Sequence, residues 1–318
     1  MRPLGFLLTI TESDDMMKKA KPHPIYIFLA GVLWGSMGLF VRVYNENSMI
    51  TMDIVAIRAI VTVLFMLIFL LIFDRSLLRI KIQDIWCFLG TGVLSILFFN
   101  YCYFKAITLT SLSVAAVLLY TAPAIVMILS RILFKERFTV IKTVSLIATF
   151  IGCIFVTGLL GNADSLNAMG ILIGLGAGLG YALYSIFSRF AIERGYHTYT
   201  IIFYTFLIAG TLTLPFAKWG DIGNAIIDKP SLIGFSFIFG LVSTVLPYIL
   251  YTVGLQKVEN GKASIIASVE PVVATILGMV LYHEKLHANE IIGIVLVLGA
   301  IILCNLSPKT PKNEKLNK

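Results

Sequence analysis

One glutamate stands about seven residues inside an otherwise apolar stretch, directly before a proline, in Ser268-Val269-Glu270-Pro271. A charge at the centre of a lipid-embedded helix costs about 2.5–3.5 kcal/mol on insertion scales, so Glu270 must face protein or water. Such a carboxyl can bind a substrate amine or exchange a proton. The other reading is a packing carboxyl hydrogen-bonded to a neighbouring Tyr or Ser. Ala267, Ala274 and Gly278 lie at helical steps from it and predict close approach of another helix. Pro271 removes a backbone donor and frees a carbonyl on the preceding turn.

Arg58 is the one basic residue well within an apolar run. It lies about seven residues, or ~10 Å, from the end of that run. A side chain of that length can snorkel to the surface. It can also pair with a helix-end carbonyl or attract a substrate carboxylate; a structural or gating role is the expectation. Hydroxyl and aromatic residues form stripes on other runs. Tyr181, Tyr184, Ser185 and Ser188 share one helix face, as do Thr244, Pro247, Tyr248 and Tyr251. Ser264 and Ser268 share another, and Asn100 and Tyr103 sit on a third run. Polar groups in a bilayer need partners, so these faces are expected to point inward. Trp34, Asn100, Tyr103, Tyr120, Tyr181, Tyr184, Tyr248, Ser268 and Glu270 are the expected substrate-binding set, suited to an apolar or aromatic solute with one polar end.

Two motifs point elsewhere. His283-Glu284-Lys285-Leu286-His287 matches the HExxH pattern of zinc proteases, which needs both histidines on one helix face. Here it falls in a short turn between apolar runs, so a membrane zinc enzyme is only the secondary alternative and no metal is expected. Gly174, Gly176, Gly178 and Gly180 lack the spacing of a dinucleotide fingerprint and read as helix packing. No Walker motif is present, and no cofactor is expected. Cys87, Cys102, Cys153 and Cys304 lie in or near apolar runs and read as packing residues.

The elements that must position these side chains are apolar helices. The chain is 58% hydrophobic and 13% charged, with a mean hydropathy of +0.92; a soluble domain carries about 25% charged residues. Ten runs long enough to cross a ~30 Å hydrocarbon core lie near 25–43, 52–73, 84–104, 112–133, 140–159, 168–188, 198–216, 232–255, 263–281 and 288–306. This predicts an all-α, multi-pass membrane protein without a soluble domain. No cleavage site follows the first apolar residues, so no signal peptide is read, and Met16 and Met17 are alternative starts.

The net charge of +8 fits a membrane better than nucleic acid. With the N-terminus inside, 19 of the 25 lysines and arginines fall on the inner side. Both termini are therefore expected in the cytoplasm, with a prokaryotic cytoplasmic membrane as the default location.

The runs form two copies. Tyr120-Thr121-Ala122-Pro123 followed by Glu136-Arg137-Phe138 aligns with Ser268-Val269-Glu270-Pro271 followed by Glu284-Lys285-Leu286, at a constant offset of 148. Trp34 through Arg42 aligns with Tyr181 through Arg189 at an offset of 147. Five helices per copy is odd, so the second copy must enter the membrane in the opposite sense. The expected division is an N-terminal segment 1–24, repeats at 25–160 and 161–306 joined near Gly161-Asn162-Ala163-Asp164, and a Lys-rich tail at 307–318. Glu270 corresponds to Ala122, so the fold does not need its charge in both copies; this favours a transport role.

The doubled proline and Glu-Arg/Lys turn, with Trp34-Gly35 and Arg58, resembles the EamA-type transporters of the drug/metabolite transporter superfamily over about residues 25–306. That resemblance implies ten helices in two inverted five-helix repeats. It also implies alternating-access movement of a small organic metabolite, often an amino acid or related compound and commonly outward. It makes Pro123, Pro271, Glu136 and Glu284 marks of the repeat. Glu136 and Glu284 are expected to cap helix starts rather than bind solute. Proton coupling through Glu270 is the expected drive, with an uncoupled facilitator as the alternative. The expected partners are a small solute, lipid and protons, in a monomer or homodimer.

Overall fold

A computed structural model describes residues 23–159, 167–283, 285 and 287–306. The N-terminal 22 residues, the expected joint, Glu284, Leu286 and the tail from Ser307 lie outside the described residues. Among the described residues there are helices and no strands. Nine helices among the described residues are long and apolar enough to cross a membrane: α1 (His23–Glu46), α2 (Thr51–Phe73), α3 (Ile82–Leu109), α4 (Leu112–Phe134), α6 (Ala168–Glu193), α7 (Thr198–Phe216), α8 (Ser231–Leu255), α9 (Asn260–Tyr282) and α10 (Ala288–Leu306). The shorter apolar helix α5 (Val140–Val156) stands between α4 and α6. Its 17 residues rise about 26 Å at 1.5 Å each, close to the hydrocarbon thickness.

The repeat seen in sequence is also a repeat of helix ends. Both α4 and α9 are broken midway. One runs Leu112–Leu119 and then Ala122–Phe134; the other runs Asn260–Ala267 and then Glu270–Tyr282, each boundary 148 residues later. The proline at the second position of each new segment explains the break, because it lacks an N–H and crowds the residue before it. In α4 the Thr121 hydroxyl donates to the Leu118 carbonyl at 2.6 Å, satisfying one acceptor at the break. In α9 the Ser268 hydroxyl donates to Ser264 at 3.1 Å. Both α3 and α8 contain a wide π-type turn, at Gly90–Leu97 and Leu241–Val245.

Equivalent helices of the two halves run antiparallel. In α2 and α7, the Phe69 and Tyr199 rings lie 4.9 Å apart, while Gly210 sits beside Ala59. In α5 and α10, Gly152 sits against Val297 while Gly293 sits against Val156. Position rises along one helix as it falls along the other, the geometry of an inverted repeat. The halves also interlock: α1 packs on α8 and α9, and α6 packs on α3 and α4. These crossings are tight. A Cβ on Gly31 would lie 2.8 Å from the Ala267 carbonyl oxygen, and one on Gly178 would lie 2.9 Å from that of Leu118. The central core gathers Trp34, Tyr184, Phe206, Tyr248 and Tyr251. Ile72, Ile132, Leu172, Ile238 and Val295 are exposed around the outside, as side chains facing lipid must be. The chain is a multi-pass integral membrane protein.

Some boundaries differ from the sequence reading. The run expected to span 140–159 ends as a helix at Val156, ahead of Gly158 at φ +66°. The first run is longer than expected and bends at Ser36, whose hydroxyl donates to Leu33 O at 2.7 Å. A short amphipathic helix, Trp219–Asp228, follows α7 where no element was expected. Of the small residues expected beside Glu270, Ala267 is buried where Gly31 of α1 crosses it and Gly278 is buried, whereas Ala274 is exposed and α9 breaks after Ala267.

Candidate functional site

Four of the expected residues meet at the centre. Trp34, from α1, stands edge-on to Tyr181 of α6 at 6.2 Å and to Tyr248 of α8 at 5.2 Å, and is tilted against Tyr251 at 5.3 Å. Tyr184 lies 4.9 Å from Tyr248. Aromatic pairs at these separations attract edge to face. Two cross-helix hydrogen bonds fix the stripe of α6: Tyr184 with Thr252 at 2.8 Å and Ser185 with Tyr251 at 2.7 Å. The space between these rings, also lined by Ser95, Ile96 and Phe99, is about 20 Å³. That is room for about one water. The centre is therefore closed, and a solute can enter only if the rings move apart.

Glu270 reaches this centre through Tyr181, whose hydroxyl donates to its Oε2 at 3.3 Å. The carboxyl sits at the start of the second segment of α9, where the helix break aims it across the bundle. Tyr103 and Tyr120 lie within electrostatic range of it, and Tyr103 stacks on Phe99 at 5.6 Å. Glu270 and Tyr181 thus form a polar pair beside the aromatic cluster.

Two expected residues stand apart. The Asn100 amide donates to Ile96 O at 2.6 Å, and the Ser268 hydroxyl is turned back on its own helix. A polar side chain in an apolar setting can bond the carbonyl four residues earlier, and both do so. Arg58 is buried outside the cavity wall, its Nη1 3.4 Å from Met37 Sδ.

A second polar cluster closes one end of the bundle. Glu136, in the turn after α4, accepts from the backbone N–H groups of Asn260 at 2.8 Å and Gly261 at 3.2 Å. It caps the first turn of α9, where free amides and the helix dipole favour a carboxylate. Burial nevertheless holds its carboxyl above the ordinary range, against those two donors and Lys142. Lys142 of α5 pairs with Glu259, and Arg189 of α6 donates to Asn260 Oδ1 at 3.1 Å and to the Val258 carbonyl. At the same end, Arg194 pairs with Asp84 at 2.9 Å. The repeat-equivalent positions at the other end differ. Glu290 accepts from the His287 amide, Ser111 accepts from Val114, and Arg42 lies over the Tyr282 ring at 3.8 Å. Two ion pairs, Lys142–Glu259 and Arg194–Asp84, join the halves at the Glu136 end. Lys142, Arg189, Glu259 and Asn260 were not foreseen, because no periodicity within one helix reveals a partner in the other half.

The HExxH geometry is absent at its histidines. His283 ends α9 in a left-handed conformation and His287 precedes α10, so they share no helix face.

Comparison with known proteins gives one family. The EamA-like transporter family matches twice, over residues 22–158 and 168–306. An uncharacterized transporter of Archaeoglobus fulgidus is 28% identical over 282 residues, covering 87% of this chain and 94% of its own. The uncharacterized inner membrane transporter YicL of Salmonella typhimurium is 24% identical over 298 residues, covering 92% and 98%. One crystal structure shares the fold with a TM-score of 0.71 at 16% identity, covering 89% of this chain and 96% of that one.

Proposed function

The chain belongs to the EamA-like transporter family, and on that premise we propose that it is a permease moving a small organic metabolite, an amino acid or related compound, outward by alternating access. The observation that carries this reading is the closed aromatic chamber between interlocked, oppositely directed halves, with a carboxyl at its edge. Mirrored halves can exchange conformations, so a chamber between them opens to each side in turn. Here the Glu136 end is latched by the α9 cap and two ion pairs. Export requires that latch to open so that solute enters from the cytoplasm. The excess of Lys and Arg on that side supports a cytoplasmic location for both termini, and the Salmonella relative supports the cytoplasmic membrane.

Glu270 is the proton carrier in this reading. It takes a proton when the chamber faces one side and releases it on the other, with Tyr181 as its hydrogen-bond partner. The test is flux in reconstituted vesicles under an imposed pH gradient, with Glu270→Gln as the variant. The wild type should accumulate solute against its gradient, while E270Q retains exchange and loses accumulation. Accumulation of equal extent in both proteins would exclude the proton role. Wild-type flux that ignores the pH gradient would select an uncoupled facilitator.

A further inference from the structure

We propose that a cleft at the Glu136 end binds the phosphate headgroup of an anionic lipid. The cleft lies between the α2–α3 and α6–α7 connections, just beyond the ends of the spanning helices, and has a volume of about 500 Å³. That is the size of a ligand pocket. Arg79 and Lys81 line it from the first half, and Arg194, Tyr196 and His197 line it from the second; no acid lines it. Among the described residues, no carboxylate lies within ion-pair distance of Arg79 or Lys81. Arg194 gives Nε to Asp84 and Nη1 to the Phe190 carbonyl, which leaves Nη2 without a bond among the described residues. The flanking acids are engaged elsewhere. Asp74 accepts from the Ser76 amide and hydroxyl at 2.9 and 2.6 Å, and Asp84 accepts from Arg194 and Tyr196 at 2.9 and 2.8 Å. Glu193 precedes Arg194 but does not line the cleft.

The walls are fixed to each other across the two halves. The Thr200 and Tyr204 hydroxyls donate to the Leu77 and Leu78 carbonyls at 2.8 and 2.6 Å, and the Lys81 amide donates to the Tyr196 hydroxyl at 3.0 Å. The fold repeats this frame without its charge. Ser48 and Gly195, 147 residues apart, both turn with positive φ, at 62° and 82°. Yet Asn47-Ser48-Met49 stands where this end has Arg194-Gly195-Tyr196. A lipid fits better than a soluble phosphate because the cleft leads onto the lipid-facing surface. From His197, the Tyr199, Phe69 and Phe73 rings follow one another at 4.7, 4.9 and 4.6 Å. Phe73 and its neighbour Ile72 are exposed, as is Ile82 next to Lys81. Arg194 lies over the Trp86 ring at 4.7 Å, and Trp and Tyr side chains at helix ends mark the headgroup zone. A phosphate among the cations therefore leaves its acyl chains along α2. Basic pockets between spanning helices on the cytoplasmic side take such headgroups. Held by both halves, the lipid ties them together at their closed end.

The test titrates the full-length protein in a neutral detergent and reads its thermal midpoint, which rises when a ligand binds the folded state alone. The probes are phosphatidylglycerol, phosphatidylcholine with the same acyl chains, inorganic phosphate and glycerol 3-phosphate. The variants are Arg79→Gln, Lys81→Gln and Lys257→Gln; Lys257 is exposed at the same end outside the cleft and controls for net charge. Phosphatidylglycerol should raise the midpoint saturably, at a concentration about fivefold or more below that of phosphatidylcholine. R79Q and K81Q should each raise the half-saturating concentration about fivefold, while K257Q keeps the wild-type curve. Without lipid, both cleft variants should match the wild type, because neither charged group has a partner to lose among the described residues. Equal responses to the two lipids overturn the proposal. So does a K257Q that weakens binding as much as R79Q, which would mark a general surface attraction. Stabilisation by phosphate or glycerol 3-phosphate at the lipid's own concentration overturns the lipid occupant. Should one cleft variant fail to fold, the other and the wild-type lipid series decide.

Discussion

Lys135 and His283, 148 residues apart, end their helices in the same left-handed conformation, with φ 57° and ψ 27° for one and φ 55° and ψ 30° for the other. In the first copy the Lys135 amide donates to Ser130 O, and the Glu136 amide turns back to the same oxygen at 3.2 Å. In the second, the His283 amide donates to Gly278 O. A glycine is the usual residue at this position, yet neither copy has one.

Left-handed backbone costs an L-residue with a Cβ about 1–2 kcal/mol. Lys135→Gly and His283→Gly should each therefore raise stability by about 1 kcal/mol, after the extra freedom glycine gains in the unfolded chain is subtracted. Thermal midpoints in lipid nanodiscs check this. A lowered midpoint for both variants would show that the side chains make compensating contacts. H283G should also leave transport intact.

Gly31 and Gly178 make equivalent crossings on the broken helix of the opposite half. Adding a methyl group puts carbon against backbone oxygen, which cannot move aside as a flexible side chain does. Gly31→Ala and Gly178→Ala should each destabilise by about 1–3 kcal/mol, the range for overpacking. Gly38→Ala, with open space around it, is the control and should be neutral or stabilising. Equal midpoints for G31A and G38A would sink the interlocked packing.

The fold was legible because the apolar runs are long and the copies keep a constant offset. Trp34, Tyr181, Tyr184 and Tyr248 were legible because a stripe at helical spacing must face inward when the other side faces lipid. Ser95, Ile96 and Phe99 were not. They lie in or just beyond the wide turn at Gly90–Leu97, where the 3.6-residue period no longer says which side chain points in. Asn100 and Ser268 each bond a carbonyl of their own helix, which a stripe on a helix face does not foretell. The Glu136 latch escaped for a different reason: its partners come from the other half, and only the crossing of α6, α5 and α9 brings them together.

That latch has a pH signature. Because burial holds the Glu136 carboxyl above its ordinary range, the folded protein binds its proton more readily than the unfolded chain does. Stability from this group is fully present below the unfolded value and is lost as pH rises through the raised one. Glu136→Gln removes the titration and replaces one acceptor oxygen by an amide nitrogen, at a cost of about 1–3 kcal/mol for the amide left unmet. The gap between wild type and E136Q should thus be widest on the acid side and narrow as pH rises. Midpoints of both proteins over a pH series decide it, and a gap that widens with pH would contradict the burial argument.

Tyr181 should divide the work of the chamber into two measurable parts. Its ring packs on Trp34 and Phe99, while its hydroxyl serves Glu270. Tyr181→Phe keeps the packing and removes the donor. Losing the donor should cost stability up to the about 1.5–3 kcal/mol of a hydrogen bond to a charged group, and pH-driven flux should fall about tenfold or more. Trp34→Ala removes the ring common to three aromatic contacts and should cost about 3–5 kcal/mol of stability, as a large-to-small change at the centre of the core. The two variants therefore separate by assay: Y181F lowers pH-driven flux with a smaller loss of midpoint, and W34A lowers the midpoint most. A Y181F protein with full pH-driven flux would detach the hydroxyl from the carboxyl's task, leaving Glu270 to act through Tyr103, Tyr120 or water alone.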